Sequence, residues 1–410
     1  MSRPIRALYS FAGRLGRTGI GVTAWNQLRG LVDEGIEVHL FCGTCERDVP
    51  GVSSITQTMK PAGLRIPYRV LGTQRAWGWH DWFTARAVRR GLNIDLVHAW
   101  PLGARRTFEA AKARRIPTLL ERPNTHTGFA FEVVGEELRK LGLELPHDHS
   151  HRADPRRLAV EEEEYRMAEH FLCPSEFVAS TFIQRGFPAA RISRTQYGYD
   201  PREFWSQPQR PAGPLTFGFV GSCEPRKGLH LALEAWSRSR AREAGRFVIC
   251  GRFVPGYREK LEPYLKDPSV QVIGYRSDVG ATMRECDVLV LPSIEEGSAL
   301  VTYEARACGC VLMVSDAAGA RCEHMVNGLV HTARNVQQLR EHFDLLADSP
   351  DLLEQLRQAS LAGVGNLTWS AAARRLVSVY RTILGREPQE HRDHYVPRER
   401  EPVVQRETVA

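Results

Sequence analysis

Two glutamates, Glu296 and Glu304, are the residues of this sequence most suited to binding a polar ligand. The apolar run 286–292 before them predicts a buried strand, and residues 299–307 predict a helix. Glu296 should therefore lie in the loop at the strand's carboxyl end, where open parallel sheets bind ligands, and Glu304 in the following helix. The helix N-terminus offers free amide groups suited to a phosphate. Carboxylates beside a phosphate site indicate a ligand with an anionic part and many hydroxyls, such as a nucleotide sugar.

Adjacent cations, Arg226 and Lys227, mark a second candidate phosphate site. They follow the apolar run 215–220 and the loop glycine Gly221, and a helical pattern, residues 227–237, begins with them. Basic residues at a helix start repel its positive end, so their presence indicates an anion to be held. A guanidinium fork and an ammonium group suit a diphosphate. A solvated turn with two surface cations is the alternative, but the glutamate pair downstream favours the phosphate interpretation.

The glycine-rich loop at residues 13–21 is a third candidate, in which Gly19 and Gly21 would let the backbone approach a phosphate or a sugar. The spacing differs from the dinucleotide pattern Gly-x-Gly-x-x-Gly, and Cys42 or Gly43 stands where an acidic residue should close the second strand. A dehydrogenase is therefore disfavoured. A flexible turn is the alternative.

Histidines form two further candidates. His126 follows the strand candidate 118–121, so we expect it at the carboxyl edge of the first sheet, facing a cleft, although many loop histidines are simply solvated. His147, His149 and His151 alternate in a second loop, where a transition metal could bind. With no strand on either side, that pattern favours a surface loop.

Two other features concern membranes and metals. The aromatic and basic stretch 77–90 could rest on an anionic membrane, but the packing of Trp79, Phe83 and Ala87 on the first sheet is the interpretation that we favour. The sequence has no Asp-x-Asp triplet of the kind that usually holds a divalent metal against a sugar diphosphate. We therefore expect chemistry that needs no metal and no other cofactor.

Strand and helix patterns alternate over most of the chain, which indicates an α/β architecture that positions these residues. The 410 residues are too many for one core, so two domains are expected. Four prolines among polar residues indicate a linker at residues 200–214. We predict Rossmann-like domains at residues 1–200 and 201–366, a helix at 367–384 and a disordered tail at 385–410.

The composition, 42% hydrophobic and 25% charged, is typical of a globular protein. Without an apolar run of about 18 residues or a recognisable signal peptide, we expect a cytoplasmic protein, or one held at the inner membrane face. The nine cysteines are expected to be reduced, since Cys42 and Cys45 lack the partners that a zinc or redox role needs. The net charge of +7 suits anionic substrates or an anionic membrane, and no nucleic-acid recognition motif is present.

Taken together, these stretches resemble glycosyltransferase family 4, a group of retaining enzymes with the GT-B fold. The resemblance covers nearly the whole chain, to about Leu384. The run 292–310 is similar to the family's Glu-x7-Glu signature. Further similarities are the Arg-Lys-Gly turn at 226–228 and the runs 174–178, 197–200 and 327–330. The helix that begins at Trp369 resembles the family's closing helix, which crosses back onto the N-terminal domain.

This resemblance implies an acceptor-binding domain and a nucleotide-sugar-binding domain that face each other across a cleft. It implies that Glu296 contacts the donor sugar, that Glu304 binds the ribose hydroxyls, and that His126 faces the sugar near the reacting carbon. The implied catalytic residues are His126 and Glu296. The implied donor-binding residues are Gly19, Gly21, Arg226, Lys227, Ser298, Ala299, Leu300 and Glu304.

The implied reaction moves a sugar, with retention, from a nucleoside diphosphate to a glycan, lipid-linked or small-molecule acceptor. One departure concerns the family's Gly-Arg-Leu turn, which is here Gly221-Ser-Cys223, so that Arg226 is expected to replace the missing arginine. The alternatives are a catalytically silent GT-B-like protein that binds glycans or nucleotides, and a nucleotide-sugar epimerase. A phosphorylase would need a lysine site for pyridoxal phosphate, which is not evident.

Overall fold

Two parallel sheets flanked by helices make up the protein, as the alternating sequence pattern predicts. The computed structural model describes residues 3–64, 66, 68–207 and 213–386. Residues 208–212 of the predicted linker and the predicted tail from residue 387 onward lie outside the described residues. Within the described part, no helix is both long enough and apolar enough to cross a membrane.

The first sheet has seven parallel strands in the order β3-β2-β1-β4-β5-β6-β7. They are β1 (Arg6–Leu15), β2 (Glu37–Cys45), β3 (Ser54–Gln57), β4 (Leu96–Ala99), β5 (Thr118–Glu121), β6 (His170–Cys173) and β7 (Ile192–Arg194). Because β1 pairs with both β2 and β4, the order of strands reverses beside β1. The glycine-rich loop after β1 therefore lies at a topological switch point, where open sheets bind ligands.

Seven helices connect these strands. They are α1 (Ile20–Asp33), α2 (Tyr68–Leu71), α3 (Thr73–Arg89), α4 (Arg105–Ala113), α5 (Thr127–Leu141), α6 (Pro155–Met167) and α7 (Glu176–Ile183). The sequence pattern misses α5, whose glycines at 128 and 135 lower its helix propensity. The structure supplies its ends, because the His126 imidazole accepts a hydrogen bond from the first-turn amide of Gly128 and Gly142 adopts the left-handed conformation that terminates a helix.

The packing predicted for α3 is wrong for Trp79, whereas Ala87 packs on the core of the first sheet, as predicted. Its buried face consists of Ala76, His80, Asp81, Thr84, Ala85 and Val88. Trp79 and Trp82 are 40% and 39% exposed, and their rings stack on each other. The observed buried face is displaced from the predicted stripe by one residue, about 100° around the helix, and smaller residues than the predicted aromatic ones form it.

The second sheet has six parallel strands in the order β10-β9-β8-β11-β12-β13. The strands are β8 (Thr216–Val220), β9 (Arg246–Cys250), β10 (Val270–Val272), β11 (Val288–Leu291), β12 (Val311–Ser315) and β13 (Gly328–His331). The helices are α8 (Leu229–Ser237), α9 (Tyr257–Leu265), α10 (Val279–Arg284), α11 (Leu300–Ala307), α12 (Val336–Asp348), α13 (Pro350–Ala362) and α14 (Trp369–Ile383). The switch point of this sheet lies between β8 and β11, so the loops after these two strands border one crevice.

The last helix, α14, crosses back onto the first sheet, as predicted. Its residues Leu376, Val377 and Tyr380 belong to the hydrophobic core of the N-terminal domain. The Tyr380 hydroxyl lies 2.7 Å from His98 Nδ1 at the centre of that domain. Gly30 of α1 permits this contact, because a Cβ atom there would lie 2.5 Å from the Cβ of Ala373. The chain therefore ties its C-terminal end to the domain in which it began.

Candidate functional site

The loops after β8 and β11 meet at the switch point of the second sheet. The Ile294 amide donates a hydrogen bond of 2.9 Å to the Arg226 carbonyl, which joins the two loops. Gly228 lies so near the second loop that an added Cβ would be 2.0 Å from the Pro292 carbonyl oxygen, and its φ of 73° is left-handed. This close approach sets the predicted cation pair beside the first signature glutamate.

Arg226 and Lys227 both bind Glu296, a direct contact that the sequence interpretation did not include. Arg226 Nη1 lies 3.1 Å from the Glu296 carboxylate, and Lys227 Nζ bonds the second carboxylate oxygen. The cations occupy a short 3-10 turn, Pro225–Lys227, rather than the start of α8, which begins two residues later. Burial favours the protonated form of Glu296, but the two cations outweigh it and hold the pKa of this carboxyl below its usual range.

Two further carboxylates, which the sequence interpretation did not include, share Arg226. Glu224 Oε1 lies 3.0 Å from Arg226 Nη2. Arg226 Nη1 lies 3.5 Å from the Glu295 carboxylate and donates to the backbone carbonyl of Glu295 at 2.9 Å. Glu295 is fully buried, and burial raises its pKa. His151, Arg226 and Thr125 outweigh that effect and lower the pKa to about 2. The sequence marks Glu224 and Glu295 only by adjacency, because each lies within two residues of a predicted site residue.

Ser298, Ala299 and Leu300 lie where α11 begins, next to Glu296 in the chain. No side chain among the described residues caps the first turn of this helix, whose N-cap is Ala299. Its end amides are thus suited to a phosphate, although no contact of the structure tests that role. The Ser298 hydroxyl is engaged elsewhere, 2.7 Å from the Tyr303 hydroxyl.

Glu304 lies one turn into α11 and is half-buried. It shares no contact with Glu296, and no described residue donates a hydrogen bond to its carboxylate. Burial and the nearby charge of Glu203 raise its pKa to about 7. A carboxyl in this state has free capacity for the hydroxyls of a ligand, and the ribose role remains a prediction.

The N-terminal domain reaches the same loop through Thr125, Pro123 and Ser175. Thr125 Oγ1 donates to Glu295 at 2.6 Å, and Ser175 Oγ donates to the Gly297 carbonyl at 2.6 Å. A Cβ atom on Gly297 would lie 1.7 Å from the Pro123 carbonyl oxygen. The signature loop therefore touches the opposite domain, and a glycine is required at the point of contact.

The loop between α5 and α6, which carries His147, His149 and His151, was expected at the surface. For two of these histidines the expectation is wrong. His149 Nε2 lies 3.1 Å from Glu224, and His151 Nε2 lies 3.4 Å from Glu295. His147 is exposed. Over the described residues, no group of three or more histidine, cysteine or acidic side chains is arranged to hold a metal ion. Only the folding of one domain against the other brings this loop to the site.

A second contact across the cleft involves Glu137 of α5. Its carboxylate lies 2.8 Å from His230 Nε2 and 2.7 Å from Arg334 Nε, both in the second domain. Burial raises the pKa of Glu137, but these two partners lower it to about 2. Arg334 adopts a left-handed φ of 68°, an uncommon conformation for a residue other than glycine. These bonds hold the two domains together beside the turn that carries Arg226 and Lys227.

His126 follows β5, as predicted, but its ring lies buried inside the N-terminal domain and does not face the cleft. Its ring packs against Tyr165, Phe182 and Phe187, with centroids 5.0, 5.2 and 6.0 Å away. Burial, aided by the charge of Arg122, lowers its pKa to about 3, so the imidazole is neutral. Its Nδ1 accepts the Gly128 amide at 3.2 Å, which leaves the proton on Nε2. The structure thus shows a helix-capping role, and the catalytic role stays a prediction.

Gly19 and Gly21 lie at the start of α1, as predicted. Gly19 is the N-cap residue, with a left-handed φ of 79°. A Cβ on Gly21 would lie 2.4 Å from the Arg14 carbonyl oxygen, so the loop can close only with glycine there. No described residue of the second domain bonds these glycines, and their donor-binding role stays a prediction.

Comparison with known proteins agrees with this architecture. Residues 17–203 match the family profile described as Glycosyltransferase Family 4, and residues 214–349 match the one described as Glycosyl transferases group 1. HepE from Anabaena, solved with UDP, is similar with a TM-score of 0.63 and 18% identity, covering 93% of this chain and all of that chain. Sucrose-phosphate synthase from Thermosynechococcus elongatus is similar with a TM-score of 0.66 and 18% identity, covering 94% of this chain and all of that chain. These likenesses establish the GT-B fold.

Curated relatives match shorter parts. One is the N,N'-diacetylbacillosaminyl-diphospho-undecaprenol alpha-1,3-N-acetylgalactosaminyltransferase of Campylobacter jejuni, 28% identical over 30% of this chain and 33% of that protein. Another is the glycogen synthase of Mycobacterium tuberculosis, 23% identical over 78% of this chain and 72% of that protein. The chain thus spans a third of the length of the first relative. With both halves matched by the family profiles, the chain belongs to glycosyltransferase family 4.

Proposed function

We propose that this protein transfers a sugar from a nucleoside diphosphate to an acceptor hydroxyl, with retention and without a metal ion. The observation that carries the proposal is the contact of Arg226 and Lys227 with Glu296 at the switch point of the second sheet. Two cations beside an uncapped helix start suit a diphosphate, and a carboxylate next to them suits the sugar. The solved relative HepE, which is crystallised with UDP and with UDP-glucose, supports a nucleotide-sugar donor.

In the proposed reaction, the acceptor hydroxyl attacks the sugar from the side on which the diphosphate leaves. A phosphate oxygen takes the proton of that hydroxyl, so no protein base is needed. Arg226 and Lys227 neutralise the leaving diphosphate, and Glu296 positions the sugar and stabilises positive charge on its ring. This assignment differs from the two-carboxylate scheme of glycosidases, since Glu296 does not act as a nucleophile.

Substitution of Glu296 by alanine tests the proposal together with a binding screen. Uridine, guanosine and adenosine diphosphates and their sugars are compared for their effect on the melting temperature. A ligand present at about 100-fold over its dissociation constant stabilises by about 2.7 kcal/mol. Glu296→Ala should still bind the nucleoside diphosphate and should lose transfer by orders of magnitude. Undiminished transfer would remove the role of Glu296.

The same experiment separates the other candidate functions. A catalytically silent binding protein would bind the nucleotide without turnover in either form. An epimerase would convert the donor sugar without an acceptor. The presence of both signature glutamates and both cations favours a working transferase over a silent one.

We further propose that the acceptor is lipid-linked or a glycan, and that α3 contacts a membrane. The exposed Trp79 and Trp82 lie beside Arg86, whose guanidinium is 5.4 Å from the Trp82 ring, and beside the exposed Arg89 and Arg90. Aromatic rings with arginines on one face suit an anionic lipid surface. Flotation with vesicles containing anionic lipid should recover the wild type and lose Trp79→Ala/Trp82→Ala. Equal recovery of both would exclude this contact.

A further inference from the structure

The loop formed by residues 142–154, here called the cleft loop, connects α5 to α6 and reaches across to the second domain. Leu141, which ends α5, and Leu143 pack on the hydrophobic core of that domain. A Cβ on Gly256 of the second domain would lie 3.1 Å from Leu143. The loop is therefore fixed at its start, and it brings His149 and His151 to the carboxylates that surround Arg226.

His149 is held in place by its own loop. Its Nδ1 accepts the backbone amide of His151 at 3.2 Å, and its Nε2 lies 3.1 Å from the Glu224 carboxylate.

Both ring nitrogens of His151 lie near oxygen atoms that can accept a hydrogen bond. Its Nδ1 lies 3.1 Å from the Ser150 hydroxyl, which can accept a hydrogen bond, and its Nε2 lies 3.4 Å from Glu295. Both nitrogens can therefore carry protons at once. Before a ligand binds, burial and the charge of Arg226 hold the pKa of His151 below its ordinary value, although Glu295 and Glu224 oppose them.

The charges around His151 change when an anion arrives. It faces Glu295 from the loop after β11, and Glu224 and Arg226 from the loop after β8. On its own loop His149 and Ser150 adjoin it. In this structure three carboxylates share two cations, so the described site already carries excess negative charge. A diphosphate bound at Arg226 and Lys227 would increase that excess.

We propose that His151 takes up a proton as the diphosphate group of a nucleotide binds, so that the N-terminal domain supplies the charge that the donor site lacks. This inference rests on the proposed donor function of Arg226 and Lys227. His151 acts as a positioning residue, because it contacts Glu295 rather than the ligand. Donor affinity is thereby coupled to pH and to the closed arrangement of the domains.

Isothermal titration in two buffers of different ionisation enthalpy counts the protons taken up on binding. The probe is whichever of uridine, guanosine or adenosine diphosphate raises the melting temperature most. His151→Gln is the test variant, because glutamine can still donate to Glu295 and cannot take a proton. The wild type should take up more protons than the variant, by up to about half a proton for a pKa rise of about one unit. A pKa rise of about one unit gives up to about tenfold weaker binding at high pH, and the variant should lack this decline.

His147→Gln is the control, because it removes a histidine from the exposed part of the same loop. It should take up as many protons as the wild type. Equal uptake by His151→Gln and the wild type would overturn this inference and leave the transferase proposal standing. If no nucleoside diphosphate binds at all, the proposed function fails and this inference fails with it.

Discussion

Substitution of Glu296 by glutamine should tighten the binding of a nucleoside diphosphate. In the free protein Glu296 occupies both cations, with Arg226 Nη1 at 3.1 Å and Lys227 on its other oxygen. A diphosphate needs the same two cations, so it must displace the carboxylate. The glutamate thus competes with the phosphates, and glutamine retains its shape while removing its charge.

The size of the effect follows from these contacts. At an effective dielectric constant of about 20, unit charges that close attract by roughly 5 kcal/mol, which is an upper bound. A hydrogen bond to a charged group contributes a net of about 1.5–3 kcal/mol. Because the displaced carboxylate keeps part of its attraction to Lys227, we expect the lower end, about 1.5 kcal/mol, or about tenfold tighter binding.

Titration calorimetry of the diphosphate against wild type and Glu296→Gln measures this change. Glu262→Gln, on the exposed face of α9, removes an equal charge far from the site and should leave the affinity unchanged. The rate of sugar transfer by Glu296→Gln should fall even though its affinity for the diphosphate rises. Equal or weaker diphosphate binding would refute the competition between Glu296 and the phosphates.

Three further outcomes are expected. Gly297→Ala should lower both the melting temperature and turnover, because its Cβ would lie 1.7 Å from the Pro123 carbonyl oxygen; a fully active variant would mean that the domains need not meet there. Glu304 holds a proton up to about pH 7 when folded and to about 4.5 when unfolded, so stability should decline with pH between these values; Glu304→Gln should lack the decline in a pH series of melting temperatures. The rate of sugar transfer should be unchanged by a metal chelator. If the chelator abolished transfer and added metal restored it, the reaction would need a metal.

The sequence by itself determined the parts of the fold that depend on local pattern. The strand candidate 118–121 matches β5, because a short apolar run bounded by turns leaves few alternatives. The helical pattern 227–237 corresponds to α8, whose apolar residues are buried. The strand–loop–helix order around Arg226 and Glu296 was also sufficient to place both at one sheet edge, since parallel strands end at the same side.

Other elements could not be read locally. The short edge strands β3, β7 and β13 have too few residues to show a period, and they form because a neighbouring strand offers its free edge. Helix α5 contains two glycines and depends on the His126 and Gly142 ends and on contacts with the other domain. The Trp79 stripe misled the assignment of the buried face of α3, since aromatic residues are equally suited to a core and to an interface.

Only the tertiary structure decided which side chains surround the cations. Glu295 and Glu296 are adjacent in sequence, yet Glu295 bonds Thr125 of the opposite domain while Glu296 bonds Lys227. His149 and His151 lie more than seventy residues from Glu224 and much further from Glu295, and no spacing rule joins them. Their meeting depends on how two separate sheets pack across a cleft. Periodicity and turn chemistry act over a few residues, whereas that packing is set by the shape and charge of whole domain surfaces.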